Sequence, residues 1–215
     1  MKDYLNKNPH SVSLIVGIEL PKEIIGNIKK MQSIIDRDDL YDSHEPHITL
    51  IINTFPSIEL VKKKITPIIK KFRPFNMAIS GFHTFENDTL TKGNKIFKGD
   101  TLVYEVKKTE ELAKLQNSLF SELNMIRTKD QEEHIMKNYL KLPEKALKNI
   151  EMFGYPVNVD DWIFHCTILA ASPEIYKSVM QKIKSYDKSY SWKVDHLCIF
   201  QNKGNGYKVI DRIRL

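Results

Sequence analysis

Cysteine is scarce in this chain: Cys166 and Cys198 are the two among 215 residues. Both sit in apolar, strand-like runs and read as small core hydrophobes. The count excludes a disulfide framework and any cysteine-based zinc spacing, and points to a reducing compartment. Long hydrophobic runs are missing too. No stretch approaches the roughly 20 apolar residues of a membrane-spanning helix. The opening Met1-Lys2-Asp3-Tyr4-Leu5-Asn6-Lys7 has no apolar core of the kind a secretory signal needs. A monomeric, cytoplasmic protein without a membrane partner is expected. Acidic residues are outnumbered, 27 against 33 Lys and Arg, for a net charge of +6. That balance suits a polyanionic partner such as nucleic acid or a phosphorylated metabolite, and equally a solubilising surface.

What the chain does have is a short pattern that occurs twice. Pro46-His47-Ile48-Thr49-Leu50-Ile51 and Phe164-His165-Cys166-Thr167-Ile168-Leu169 each place His-x-Thr in an apolar, β-branched run, the signature of a buried strand. Side chains two apart on a strand face the same way. His47 and Thr49 should therefore share one face, and His165 and Thr167 another. One such triplet is an ordinary feature of protein cores. Two of them in matching surroundings are not.

The surroundings do match. Val12, Leu14, Val16, Ile18 and Leu20 alternate as a strand, and Pro21 opens a helix with Ile24, Ile25, Ile28, Met31 and Ile35 on one side. A polar loop, Asp36 to Glu45, leads to the first His-x-Thr strand. Ser57 then caps a helix carrying Ile58, Val61, Ile65 and Ile68, which Pro67 is expected to kink or end early. Phe75, Met77 and Ile79 start a strand running to Phe85. Lys95–Lys98 and Thr101–Lys107 read as strands joined at Gly99-Asp100. The plan then recurs. A helix from about Glu110 to Asn124 presents Leu112, Leu115, Leu119 and Leu123, and the second His-x-Thr strand follows after a longer connection. Ser172-Pro173 starts a helix, a strand runs from Tyr190 to Phe200, and a last strand holds Tyr207, Val209, Ile213 and Leu215 in phase. The two closing strands end in Phe85-Glu86-Asn87 and Phe200-Gln201-Asn202.

This internal repeat predicts an α+β fold. A duplicated α/β unit forms two antiparallel-rich sheets around a central cleft, with helices on the outside. Residues 1–215 make one bilobal domain, with repeats at about 12–98 and about 101–215. A helical segment, about 126–161, is inserted in the second repeat, as a lid or substrate-contacting element or as a packed decoration with no role in chemistry.

Two imidazoles facing one cleft can divide proton work, one taking a proton from a nucleophile and the other giving one to a leaving group. Hydroxyls two residues on can hold phosphoryl oxygens as charge develops. Paired histidines also bind metals, but no carboxylate or third histidine is placed to complete a site. Glu45, Asp160 and Asp161 are the nearest acids in sequence. No metal and no cofactor is expected.

In their duplicated α/β frame, these two motifs resemble the 2H phosphoesterase superfamily, which includes the LigT-like RNA 2′,3′-cyclic phosphodiesterases, also called 2′-5′ RNA ligases. The resemblance covers roughly residues 12–125 and 155–215. It implies metal-independent cleavage or formation of a 2′-linked or cyclic phosphodiester in a nucleotide or RNA terminus. By motif match, His47 and His165 would be the acid–base pair, and Thr49 and Thr167 the phosphate binders. The inserted segment departs from compact members of the family and leaves the substrate open. A module that binds RNA without chemistry, or an RNA end-joining protein, are the competing readings.

Other residues are weaker candidates. Trp162 and Tyr155 flank the second motif, where an aromatic can stack a base or pack under the strand. Lys203, Lys208, Arg212 and Arg214 are candidates for phosphate contact. His83 and His196, on the closing strands, are structural or line the cleft. Lys62-Lys63-Lys64 reads as a solvated helix face.

Overall fold

The computed structural model describes residues 11–34, 45–86, 100–138, 142–204 and 206–215. Eight strands and six α-helices alternate along them. They are β1 (Val12–Glu19), α1 (Lys22–Ser33), β2 (His47–Phe55), α2 (Ile58–Ile69), β3 (Phe75–Phe85), β4 (Asp100–Val106) and α3 (Glu110–Asn124), followed by α4 (Asp130–Asn138), α5 (Glu144–Phe153), β5 (His165–Ala171), α6 (Pro173–Ile183), β6 (Tyr190–Val194), β7 (His196–Asn202) and β8 (Tyr207–Arg214). The expected strand at 95–98, the polar loop at 36–44 and Ile35 lie outside the described residues.

The strands form two antiparallel four-stranded sheets, β2-β1-β7-β8 and β5-β4-β3-β6. Their orders correspond. A His-x-Thr strand forms one edge, the opening strand of the same half lies beside it, and the closing strand of the opposite half comes next. Each sheet is thus built from both halves of the chain. β2 and β5, the two His-x-Thr edges, approach one another across the sheets.

The alternation in β1 explains its placement. Leu14, Val16 and Ile18 are essentially inaccessible and join the main core with Ile48 and Leu50 of β2 and the apolar stripes of α1, α2 and α3. Burying such aliphatic side chains contributes roughly 1.5–3 kcal/mol each. Ile15 points the other way, into a small second cluster with Cys198, Phe200 and Tyr207. The face of the first sheet turned away from the main core is therefore partly apolar and buried in its own right. The Ser57 hydroxyl caps α2 by accepting from the Leu60 N–H at 3.1 Å. Thr109 does the same for α3 through Leu112 at 3.2 Å. α2 runs on through Pro67 to Ile69, because a proline in the last turn removes only one internal hydrogen bond.

Two expectations need correction. The run from Tyr190 to Phe200 is not one strand. It breaks at Asp195, where β6 leaves β3 in the second sheet and β7 joins β1 in the first. β8 also fails to keep one phase. A bulge opposite Ile199/Phe200 shifts its register. Tyr207 and Val209 consequently face the second cluster, while Ile210, Ile213 and Leu215 pack on the main core.

The inserted segment lies along the free edge of β2. The Thr128 N–H donates to the Thr54 carbonyl at 2.9 Å, continuing the sheet's hydrogen bonding for one step. Asn53 Nδ2 donates to the Phe153 carbonyl at 3.1 Å. Gly154 closes α5 with φ of 71° beside that same Asn53 side chain. Covering an edge in this way protects it from pairing with another chain.

Candidate active site

The two His-x-Thr strands carry matching local geometry. His47 Nδ1 lies 2.6 Å from the Glu45 carbonyl, and His165 Nδ1 lies 2.7 Å from the Ile163 carbonyl. A carbonyl can only accept, so each Nδ1 carries the ring proton. In the neutral ring Nε2 is then the basic nitrogen, in both copies. His47, Thr49, His165 and Thr167 are all half-buried, whereas Ile48, Leu50, Cys166 and Ile168 are buried. Each imidazole thus shares the open face of its sheet with the hydroxyl two residues on.

Immediately after each threonine the strand bulges. Val16 pairs with Ile51 but Gly17 with Thr49, leaving Leu50 as the extra residue. Leu102 pairs with Leu169 but Val103 with Thr167, leaving Ile168 as the extra residue. The carbonyl of each extra residue accepts from a glutamine. Gln116 Nε2 of α3 reaches Leu50 O at 3.0 Å, and Gln32 Nε2 of α1 reaches Ile168 O at 2.8 Å.

Each histidine also packs on an aromatic ring from the opposite half. His47 lies over Phe200 with ring centroids 4.8 Å apart, and His165 meets Phe85 edge-on at 5.1 Å. Phe85 is the last residue of β3, and Phe200 lies two residues before the end of β7. Tyr207 stands 6.4 Å from His47 and shares a 2.7 Å hydrogen bond with the buried Ser13 hydroxyl.

A carboxylate stands in register with each histidine, Glu19 opposite His47 and Glu105 opposite His165. Each also has a second histidine close by, His196 at 3.6 Å from Glu19 and His83 at 3.5 Å from Glu105. The two sides then differ. Arg212 holds Glu19 with two hydrogen bonds of 2.9 Å, and this guanidinium keeps the Glu19 carboxyl below its ordinary range. His83 instead packs edge-on against Phe85 at 5.0 Å.

Glu19, His196 and Cys198 are the described residues that cluster closely enough to be weighed as a metal centre. Their chemistry does not fit one. Arg212 occupies both oxygens of Glu19. Burial, with the Glu19 charge adding to it, pushes the Cys198 thiol up to about 12, which makes it a protonated core thiol beside an already engaged carboxylate.

The weaker candidates are placed differently. Tyr155 and Trp162 pack on each other with ring centroids 5.3 Å apart. They line an apolar pocket between β2, α3 and the insertion, together with Phe120, Phe153, Val157 and Val159. Trp162 also packs on the main core. Lys203 sits in the β7–β8 turn with its ammonium on Gln201 Oε1. Lys208 reaches Glu45 at 3.5 Å. Arg214 is opposite His196 in the β7–β8 ladder. Of the lysine run in α2, Lys62 pairs with Asp211 and Lys64 with Glu122.

Sequence reasoning overlooked Glu19, Glu105, Gln32 and Gln116. The glutamines left a trace: each is a polar residue beside an apolar stripe position, Met31 or Leu115, and Gln116 is fully buried. The carboxylates become visible only once strand order is known.

The model of the 2′-5′ RNA ligase superfamily matches residues 20–206. The chain belongs to this superfamily. Among solved structures, a Thermus thermophilus protein is 16% identical, with a TM-score of 0.54 over 94% of this chain and 97% of its own. LigT of Escherichia coli without ligand is 14% identical, with a TM-score of 0.53 over 96% of this chain and 98% of its own. The LigT structure with 3′-AMP aligns over the same shares at 13% identity and a TM-score of 0.52. At these identities the likeness establishes a LigT-like fold. A search of curated proteins gave no match. No described helix is long and apolar enough to cross a membrane.

Proposed function

We propose that this 2′-5′ RNA ligase superfamily member is a phosphodiesterase that cleaves a 2′-linked or cyclic phosphodiester in a nucleotide or RNA terminus. His47 and His165 act as the acid–base pair, and Thr49 and Thr167 hold the phosphoryl oxygens. The observation that carries this reading is the matched anchoring of the two imidazoles. Both rings are fixed in the Nδ1–H tautomer by a backbone carbonyl, and each shares a face with a threonine. Such a pair can run a displacement at phosphorus. One Nε2 takes a proton from the attacking water as its oxygen bonds to phosphorus. The other imidazole, protonated, gives its proton to the oxygen whose bond to phosphorus breaks. The threonine hydroxyls donate to the non-bridging oxygens as negative charge grows. Each cycle leaves the two imidazoles with their protonation exchanged, and solvent restores them. Nothing in this scheme requires a metal.

Nucleotide substrates are supported by the family and by its solved members, since LigT has been solved in complex with 3′-AMP and with ATP. Phe85, half-buried beside His165, offers aromatic surface on which a base can stack, while the buried Phe200 and Tyr207 support the His47 ring from beneath.

The test is turnover of 2′,3′-cyclic nucleotides, 2′-5′ oligoadenylate and cyclic dinucleotides, with a chelator present. His47→Ala and His165→Ala are each expected to lower kcat by about a hundredfold or more with the fold intact. Activity that survives in the double variant would overturn the assignment. Loss of wild-type activity to the chelator would do the same for a metal-independent reaction. Binding without turnover across the panel would favour an RNA-binding module.

A further inference from the structure

We propose that Gln32 and Gln116 are positioning residues, each locking the catalytic strand of the opposite half through the carbonyl that follows its threonine; the proposal rests on the two-histidine reading above. Gln116 is on α3, in the second half of the chain, and bonds Leu50 O in the first. Gln32 is on α1, in the first half, and bonds Ile168 O in the second. The two contacts are reciprocal, and they fall at the same place in the motif.

That place matters mechanically. A bulge inserts one residue into an edge strand, bends it and increases its twist. The carbonyl of the extra residue is displaced from the ladder and needs another donor, because an unpaired buried backbone group is costly. Here the bulge starts directly after Thr49 and directly after Thr167. The bend therefore sets where each hydroxyl points relative to its histidine. The histidine end is fixed by the carbonyl two residues earlier. The threonine end is fixed by a side-chain amide from another element. Without that amide the bulge can slide along the strand, and a one-residue slip turns the threonine to the opposite face.

The contacts are built with some selectivity. Gln116 is wholly buried, and its Nε2 must face Leu50 O because only the amide nitrogen can donate there. Its Oε1 has no hydrogen-bond partner among the described residues, so the side chain accepts an unsatisfied acceptor to keep that one bond. A buried methionine or leucine would fill the space without this penalty. The bond to Leu50 O is what distinguishes glutamine from them.

The experiment compares Gln116→Met and Gln32→Met with wild type. Methionine keeps length and flexibility and removes the donor. Gln32 is only half-buried, so its variant folds even where the Gln116 variant is compromised. Turnover of 2′,3′-cyclic nucleotide is expected to drop about ten- to a hundredfold in kcat with KM within about threefold, since misplacement of a group acting in the transition state lowers kcat. A second readout needs no turnover. In NMR spectra of the histidine rings, Gln116→Met should shift the His47 signals and leave those of His165 in place. Gln32→Met should do the reverse. A merely structural role predicts lower stability with both rings affected alike or not at all. Unchanged kcat in both variants, or ring shifts that fail to follow this crossed pattern, would overturn the proposal. If wild type turns over no substrate in the panel, the phosphodiesterase reading fails instead, and the crossed ring shifts still decide whether the glutamines position the strands.

Discussion

Glu19 stands in register with His47, and both of its oxygens are held by Arg212 from the far side of the sheet. Arg212, on β8, is opposite Cys198 of β7, so this one ion pair spans β1, β7 and β8. The pairing keeps the native Glu19 carboxyl below its unfolded value of about 4.3. Its contribution to stability is therefore complete above that pH and fades as pH falls through the native value. The pair is partly exposed, which limits that contribution to about 1 kcal/mol. Glu19→Gln is expected to be less stable than wild type by about that amount at pH 7, and the difference is expected to shrink as the pH is lowered into the acid range. Urea unfolding of both proteins along a series of falling pH values checks this. A difference that does not shrink as the pH falls would mean that the Glu19 charge is not the source.

Much of this arrangement was legible from residue spacing, and the remainder was not for a specific reason. Period-two alternation located β1 and both His-x-Thr strands, and it put each histidine and threonine on one face. Apolar stripes found α1, α2 and α3, and Ser57 marked the start of α2. These features depend on neighbours within a few residues. What escaped depends on which strands become neighbours. Glu19 and Glu105 look like ordinary strand-end acids until pairing sets them beside His47 and His165. Asp195 gives no strong sign that the chain changes sheets there. The bulge in β8 splits Tyr207 from Ile213 although both sit at odd positions in an alternating run. The crossed packing of Phe200 on His47 and of Phe85 on His165 follows from the exchange of closing strands. The recurrence of Phe85 and Phe200 at the two strand ends was visible, but not what they touch.

Gly17 supplies a stringent test of the bulge. It lies between Thr49 on one neighbouring strand and Cys198 on the other. A Cβ there would sit 2.5 Å from the Ile48 carbonyl oxygen, which belongs to the backbone and cannot swing aside. Gly17→Ala must therefore displace β2 at the residue joining His47 to Thr49. Overpacking of this kind costs about 1–3 kcal/mol. A thermal melt should show that loss while the protein still unfolds cooperatively. Phosphodiesterase activity should fall further than stability alone accounts for, because the shift is delivered to the motif itself. A variant as active as wild type would show that β2 tolerates movement between its histidine and threonine.

The insertion should come loose when Thr54 loses its hydroxyl. Thr54 is fully buried on β2, and its Oγ1 accepts from the Gln131 N–H at 3.0 Å and shares a 2.8 Å hydrogen bond with the Thr128 hydroxyl. The Thr128 hydroxyl also lies 2.8 Å from Asp130, so the group ties the start of α4 to the sheet edge. Thr54→Val preserves shape and leaves a buried backbone N–H without its partner, at a cost of about 1–3 kcal/mol. That cost falls on the docking of residues 126–138 rather than on the sheets, which keep their own ladders. Hydrogen exchange should accordingly speed up in α4 and leave β1, β4 and β7 protected as in wild type. Uniform acceleration across both sheets would instead place the insertion within the cooperative core. The same variant separates the two roles considered for the insertion. A packed decoration leaves turnover of a mononucleotide cyclic phosphate and of a longer oligonucleotide equally intact. An element that contacts substrate raises KM for the oligonucleotide alone.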